Sequence, residues 1–333
     1  MCRIVLVCCV LAKIAPDHIL NHMRRSTERY TLADLQRWEQ LSSDSNPPIR
    51  AGVFGDPVAH SLSPQMQNAA LRACGINMQY ARFHIRPGEL RSALRLLRRL
   101  DFVGVNLTLP HKIAGLAQMD EADEFAARAG AVNTVCLRNG KLLGSNTDGE
   151  GFGRAIRSEF AVPLGALRIM VLGAGGGTGR AVAWQCALEN CQRLVLVNRT
   201  VEKAQMLAQE LRLFCNGKGM PRSATQLEVI AWEESAMRAQ LGQIDLIVNA
   251  TPLGMNPSDA LPVPARLLAP HHTVFDCIYE PRKTALLSAA EQAGARIANG
   301  LSMLLQQGAL SFSIWFQREA PIDAMRKALS FQR

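Results

Sequence analysis

No apolar run in this sequence comes near the length needed to cross a bilayer, so no membrane partner is expected. Aromatic residues are scarce, at 5%. There is also no tract of like charge. The net charge of +9 is spread, much of it as arginine along helical stretches. It reads as solubility and attraction for anionic small molecules; no nucleic-acid partner is expected. The nine cysteines (Cys2, Cys8, Cys9, Cys74, Cys136, Cys186, Cys191, Cys215 and Cys277) are odd in number and form no CxxC pair. A zinc site or disulfide framework is therefore not expected, and buried free thiols in a reducing cytoplasm fit instead. No internal repeat or low-complexity tract is present. With 333 residues, nearly half of them apolar, the chain can build two cores.

Glycine, by contrast, is concentrated. Residues 168–183 read RIMVLGAGGGTGRAVA. The apolar run 169–172 ends in a glycine cluster, and a helix-compatible segment, 180–188, follows. Strand, glycine turn and helix form the first unit of a dinucleotide-binding βαβ. There the backbone comes close to a pyrophosphate, and the helix N-terminus offers N–H groups and a positive dipole end. Gly173, Gly175 and Gly176 remove the side chains that would block this approach. The strict G-x-G-x-x-G spacing is not met, because Thr178 stands where the third glycine belongs. By itself the stretch also suits a glycine turn without a ligand.

The second strand of that unit, 194–197, has no Asp or Glu at its tip. An acid there would bond the ribose 2′-hydroxyl of NAD. Asn198, Arg199 and Thr200 stand there instead, with Lys203 just beyond. Two cations at that point suit a 2′-phosphate, so the expected cofactor is NADP rather than NAD. Two solvated surface charges are the plainer alternative.

The expected fold class is α/β in two domains: a Rossmann doubly wound parallel sheet and an α/β substrate domain. Residues 1–48 read as an N-terminal extension and linker. Within them, 4–12 resembles a signal-peptide core without a cleavage site. We read 1–30 as an extra, loosely packed segment or a mis-assigned start, with Met23 the alternative start. Residues 31–41 suit a short helix with Thr31 as N-cap, and 42–48 a linker. The first domain spans 49–148, with strands at 51–54, 80–85, 102–107 and 131–135. Ser63 is its expected N-cap before Pro64. Residues 87–100 form an amphipathic helix with Leu90, Leu94 and Leu97 on one face, and Asn139-Gly140 marks a hairpin turn. The second domain spans 149–298, with strands at 168–172, 194–197, 245–249 and 273–277 and a glycine- and proline-bearing loop at 216–222. The apolar helix 300–316 is expected to return to the first domain, which 299–325 completes.

Lys112 and Asp148 both stand at proline- or glycine-marked element ends, where sites tend to form. A carbonyl reduced by hydride needs a proton at the developing alkoxide, and a lysine held by a carboxylate supplies one. Spacing alone leaves an ordinary ion pair equally open. Ser61-Leu62-Ser63-Pro64, Asn106-x-Thr108-x-Pro110-His111-Lys112, Ala131-Val132-Asn133-Thr134 and Asn146-Thr147-Asp148-Gly149 follow one another in the first domain. Gly173-Ala174-Gly175-Gly176, Asn198-Arg199-Thr200, Asn249-Ala250-Thr251-Pro252-Leu253-Gly254-Met255 and Met303-Leu304-Leu305-Gln306-Gln307 come after them. In this order, across about 49–325, the eight motifs resemble the shikimate dehydrogenase family.

The resemblance implies reversible NADPH-dependent reduction of 3-dehydroshikimate to shikimate, on the route to chorismate and the aromatic amino acids. It implies Lys112 and Asp148 as the catalytic pair. Ser61 and Ser63 would bind the ring carboxylate, with Tyr279 near it. Thr108, Asn133 and Gln307 would complete the substrate site, Asn133 at a ring hydroxyl, while Gln306 points elsewhere. Asn198, Arg199, Thr200 and Lys203 match the adenosine 2′-phosphate clamp. Gly173, Ala174, Gly175, Gly176, Gly177, Thr251, Gly300 and Met303 complete the expected cofactor site. His60 and His111 flank the site without a third ligand, so no metal is expected.

The long N-terminal extension and Gly177-Thr178-Gly179 after the glycine turn depart from the family pattern. The extra glycine is expected to loosen the turn without removing the phosphate site. Two rivals remain at this stage. A quinate/shikimate dehydrogenase would often use NAD, which Arg199 and Lys203 oppose. A non-catalytic ligand-sensing homologue is opposed by the retention of both Lys112 and Asp148. A monomer or homodimer in the cytoplasm is expected.

Overall fold

The computed structural model describes residues 29–42, 45–215 and 225–330. The apolar run at 4–12, Met23 and the 216–222 loop lie outside these residues.

Two sheets organise the chain. The first contains β1 (Arg29–Thr31), β2 (Ile49–Gly55), β3 (Gln79–His84), β4 (Gly104–Leu107), β5 (Glu121–Ala122), β6 (Thr134–Arg138) and β7 (Lys141–Ser145). Their order is β1-β3-β2-β4-β6-β7-β5. The β1, β3, β2 and β4 neighbours are parallel, while β4–β6 and β6–β7 are antiparallel. Asn139 and Gly140, both at positive φ, turn the β6–β7 hairpin.

The second sheet contains β8 (Arg168–Leu172), β9 (Arg193–Val197), β10 (Gln226–Ile230), β11 (Leu246–Asn249), β12 (Thr273–Asp276) and β13 (Arg296–Asn299). All six are parallel, in the order β10-β9-β8-β11-β12-β13. Strand order reverses beside β8, and the crevice at the carboxyl ends of β8 and β11 is where such sheets take ligands. The two edge strands, β10 and β13, are absent from the sequence-based expectation. Both are only partly buried and lack the continuous apolar run that marks the central strands.

The segment 29–42 departs from its reading as extension. Arg29–Thr31 extends the first sheet along β3. Thr31 caps the following helix, Leu32–Gln36, in a capping box with Asp34. A second short helix, Trp38–Ser42, follows in place of one continuous helix. Leu35 and Trp38 are buried in the first core, and Tyr30, Trp38, Phe83 and Phe102 form one aromatic cluster. These rings tie the segment to the sheet.

Two helices connect the lobes. Asp148–Phe160 leaves the first sheet, and Leu301–Phe316 returns to it, burying Leu304, Leu305, Ala309, Phe312 and Trp315 against Met66 and Tyr80. They touch at Gly151, where a Cβ would lie 2.9 Å from the backbone nitrogen of Gln307. Only glycine lets the returning helix press Gln307 against the start of the outgoing one. A further helix, Ile322–Ser330, buries Met325 and Leu329 in the same core.

Candidate active site

Strand β4 ends in the middle of the first sheet, and the chain turns through Thr108 into the helix His111–Leu116. Thr108 carries that turn: its N–H donates to Phe54 O, and its carbonyl accepts from His111 N. The buried His111 ring bonds Ile85 O at 2.6 Å, and burial holds its pKa below the ordinary value. This anchors the helix whose second residue is Lys112. Asp148 opens the helix Asp148–Phe160, where the dipole favours a carboxylate. Lys112 Nζ donates to Asp148 Oδ2 at 2.6 Å and to Thr178 Oγ1 at 3.0 Å. Their side chains are 16% and 5% exposed, so this is a sheltered pair rather than a surface one.

Asn133 buttresses the carboxylate. Its Nδ2 donates to Asp148 Oδ1 at 2.8 Å, to Thr147 Oγ1 at 2.9 Å and to Gln307 Oε1 at 3.3 Å. Its Oδ1 accepts from the Thr147 N–H and the Thr134 hydroxyl. Thr134 continues the network to Ser311 and Asn106. Asn133 thus stands with Lys112, Asp148 and Gln307 in one partly buried cluster.

Ser61, Ser63 and Tyr279 form a second cluster. The helix expected to be capped by Ser63 begins at Ser63 itself, with Leu62 at the cap position. The Ser63 hydroxyl is therefore not spent on capping. Burial pushes the Tyr279 phenol up, and hydrogen bonds from the Leu62 backbone and the Ser61 hydroxyl oppose that shift. Arg82, 6% exposed, donates Nε and Nη2 to Ser61 O at 3.0 and 2.7 Å. Its guanidinium lies near Tyr279, so a fixed cation backs the hydroxyls. Sequence reasoning missed Arg82, because an arginine inside a strand reads as an outward-facing charge.

The glycine turn follows β8. Gly173 sits at φ +82 with Thr251 against it. Gly175 N donates to Asn198 Oδ1 at 3.1 Å, and Asn198 Nδ2 donates to Thr200 O at 2.8 Å, tying the turn to the tip of β9. Gly176 is exposed at the mouth and caps the helix Gly177–Leu188. The third-glycine task falls to Gly179, where a Cβ would collide with Gly173 O. The spacing is one residue longer than the usual fingerprint, which is why the strict pattern failed. Ala174 is buried in the core behind the turn. Arg199, Thr200 and Lys203 are exposed beside it. An open glycine cradle at a helix N-terminus, flanked by cations, fits a dinucleotide carrying a 2′-phosphate. Gly300 is pressed onto Cys277 O, and Met303 is packed in the core together with Ala174.

Cys277, one residue past β12, feels the charges of Asp148 and Lys112. Burial raises its pKa and keeps it a thiol. Among the described residues, no group of acidic, histidine and cysteine side chains could hold a metal ion, and no helix is long and apolar enough to cross a membrane.

A six-stranded doubly wound sheet with a phosphate cradle, set against a second lobe that presents a sheltered lysine–carboxylate pair, defines the class of two-domain nicotinamide-nucleotide oxidoreductases. The family model for the shikimate dehydrogenase substrate binding domain matches residues 53–135, and that for the shikimate 5'-dehydrogenase C-terminal domain matches residues 300–329. A shikimate dehydrogenase (NADP(+)) of Desulforamulus reducens is 40% identical over 284 residues, covering 84% of this chain and 94% of the relative. One from Methanopyrus kandleri is 41% identical over 280 residues, covering 84% and 93%. The shikimate 5-dehydrogenase of Thermus thermophilus, solved with NADP(H) and shikimate, superposes with a TM-score of 0.72 at 36% identity, covering 85% of this chain and 98% of that one. The chain belongs to the shikimate dehydrogenase family.

Proposed function

We propose that this chain is an NADP-dependent shikimate dehydrogenase that reduces 3-dehydroshikimate to shikimate and runs the reverse reaction. The observation that carries the reading is the 2.6 Å Lys112–Asp148 pair at the junction of the two lobes. When bound, the nicotinamide supplies or accepts the hydride. Lys112 Nζ delivers the proton to the carbonyl oxygen as charge develops there, and takes it back in the oxidation. Asp148 holds the amine in place and accepts from the substrate hydroxyl.

The ring carboxylate suits Ser61, Ser63 and Tyr279, short hydroxyl donors backed by the Arg82 charge. Asn133 and Gln307, each able to give and accept, suit ring hydroxyls, with Thr108 completing the site. The cofactor pyrophosphate suits Gly173 to Gly177. Its 2′-phosphate suits Asn198, Arg199, Thr200 and Lys203. Thr251, against Gly173, lines the same crevice.

The described cysteines are all free, in keeping with a reducing cytoplasm. The enzyme acts as a monomer or homodimer.

The test is absorbance at the reduced-nicotinamide band, with shikimate and quinate each offered NADP and NAD. Shikimate with NADP is expected to be fastest. Quinate with NAD as the preferred pair, or no turnover with any pair, overturns the reading.

A further inference from the structure

Thr178 lies in the nucleotide-binding lobe, yet its hydroxyl is 3.0 Å from Lys112 Nζ in the other lobe. Two features of the turn bring it there. Gly179 takes over the close packing on Gly173 that a glycine at 178 would provide, so position 178 is free to carry a side chain. Gly177 lets the turn come right up to Lys112, since a Cβ at 177 would stand 2.8 Å from Lys112 Cβ.

An ammonium has three N–H donors in a fixed tetrahedral arrangement. Asp148 Oδ2 takes one at 2.6 Å. That bond sets the rotation of the amine about the Cε–Nζ axis and leaves two N–H groups. Thr178 Oγ1 takes the second at 3.0 Å and holds the amine from another side, so one N–H remains, in one direction. We propose that Thr178 is a positioning residue for Lys112. Its hydroxyl, together with Asp148, aims the remaining N–H at the substrate oxygen. The inference rests on Lys112 being the proton-transfer group of the proposed reaction. It makes the departure from the glycine fingerprint functional: the hydroxyl ties the glycine turn to the alignment of the amine.

The test compares Thr178→Val, Thr178→Ala and Thr178→Ser in the complete chain, after the unsubstituted protein has turned over shikimate with NADP. An unsubstituted protein without activity sinks the proposed function and is thereby told apart from a failure of this inference. Val keeps the shape and removes the acceptor. Its kcat is expected to fall about 10-fold or more, as misaligned proton transfer does, with both KM values held within about two-fold. Ala must show the same loss, which separates the missing hydroxyl from the added bulk of a misfitting methyl. Ser is expected to restore kcat to within about three-fold, because it returns the acceptor. Unchanged kcat in Val and Ala overturns the proposal. So does a rise in KM for NADP at constant kcat, which would assign the hydroxyl to the cofactor. A Ser variant as slow as Val overturns it too.

Discussion

Asn133 and Asp148 are joined by a 2.8 Å hydrogen bond from Nδ2 to Oδ1, which leaves Oδ2 facing Lys112 at 2.6 Å. The carboxylate is therefore held from both sides, and the amine meets it in one geometry. Three segments contribute: Asn133 just before β6, the helix start at Asp148 and the helix start at Lys112.

Removing either member of the pair should cost turnover rather than binding. Lys112→Ala and Asp148→Asn are each expected to lower kcat by about 10²–10⁴, the usual worth of a positioned acid or base. The KM for shikimate should change far less. Steady-state kinetics in both directions checks this. Unchanged kcat in either variant removes that residue from the mechanism.

Arg199 tests cofactor choice. It is exposed at the tip of β9, next to the glycine turn. Arg199→Ala should raise the KM for NADP by roughly 10–100-fold, the worth of hydrogen bonds to a charged group, and leave the KM for NAD nearly unchanged. Equal rises for both cofactors would mean that Arg199 does not read the 2′-phosphate.

The pH dependence of stability has a definite sign at His272. Its Nδ1 accepts from Ala269 N at 3.0 Å, and its Nε2 faces Leu241 O at 2.9 Å. A proton on Nδ1 would break the first bond. Burial is the larger cause holding the pKa below 6.5. The unfolded chain thus takes up a proton near pH 6.5 that the native ring refuses, and stability falls as the pH drops below that value. His272→Gln removes this term. Its Tm relative to the unsubstituted protein should improve on going from pH 7.5 to pH 5.5, as followed by thermal melts. A constant difference would show that His272 does not titrate on unfolding.

Much of the fold was legible because its signals are local. The apolar runs of β8, β9, β11 and β12 and the glycine turn stand in plain sequence. Edge strands β10 and β13 did not, since they are only partly buried and read as mixed polar segments. Tyr30 and Trp38 sat in a polar stretch, and their burial depends on Phe83 and Phe102, which lie far along the chain. Ser63 was read as a cap because a serine before a proline fits one, yet the helix starts a residue earlier than that reading allows.

The sequence by itself determined the class of fold, the glycine turn after β8 and the cationic tip of β9, because each is written in contiguous residues. Only the tertiary structure decided that Thr178 meets Lys112, that Arg82 stands behind Ser61, and that Gly179 rather than residue 178 packs on the turn. The first two join residues 66 and 21 positions apart, and the third turns on a backbone contact between Gly179 and Gly173 whose geometry no residue pattern encodes.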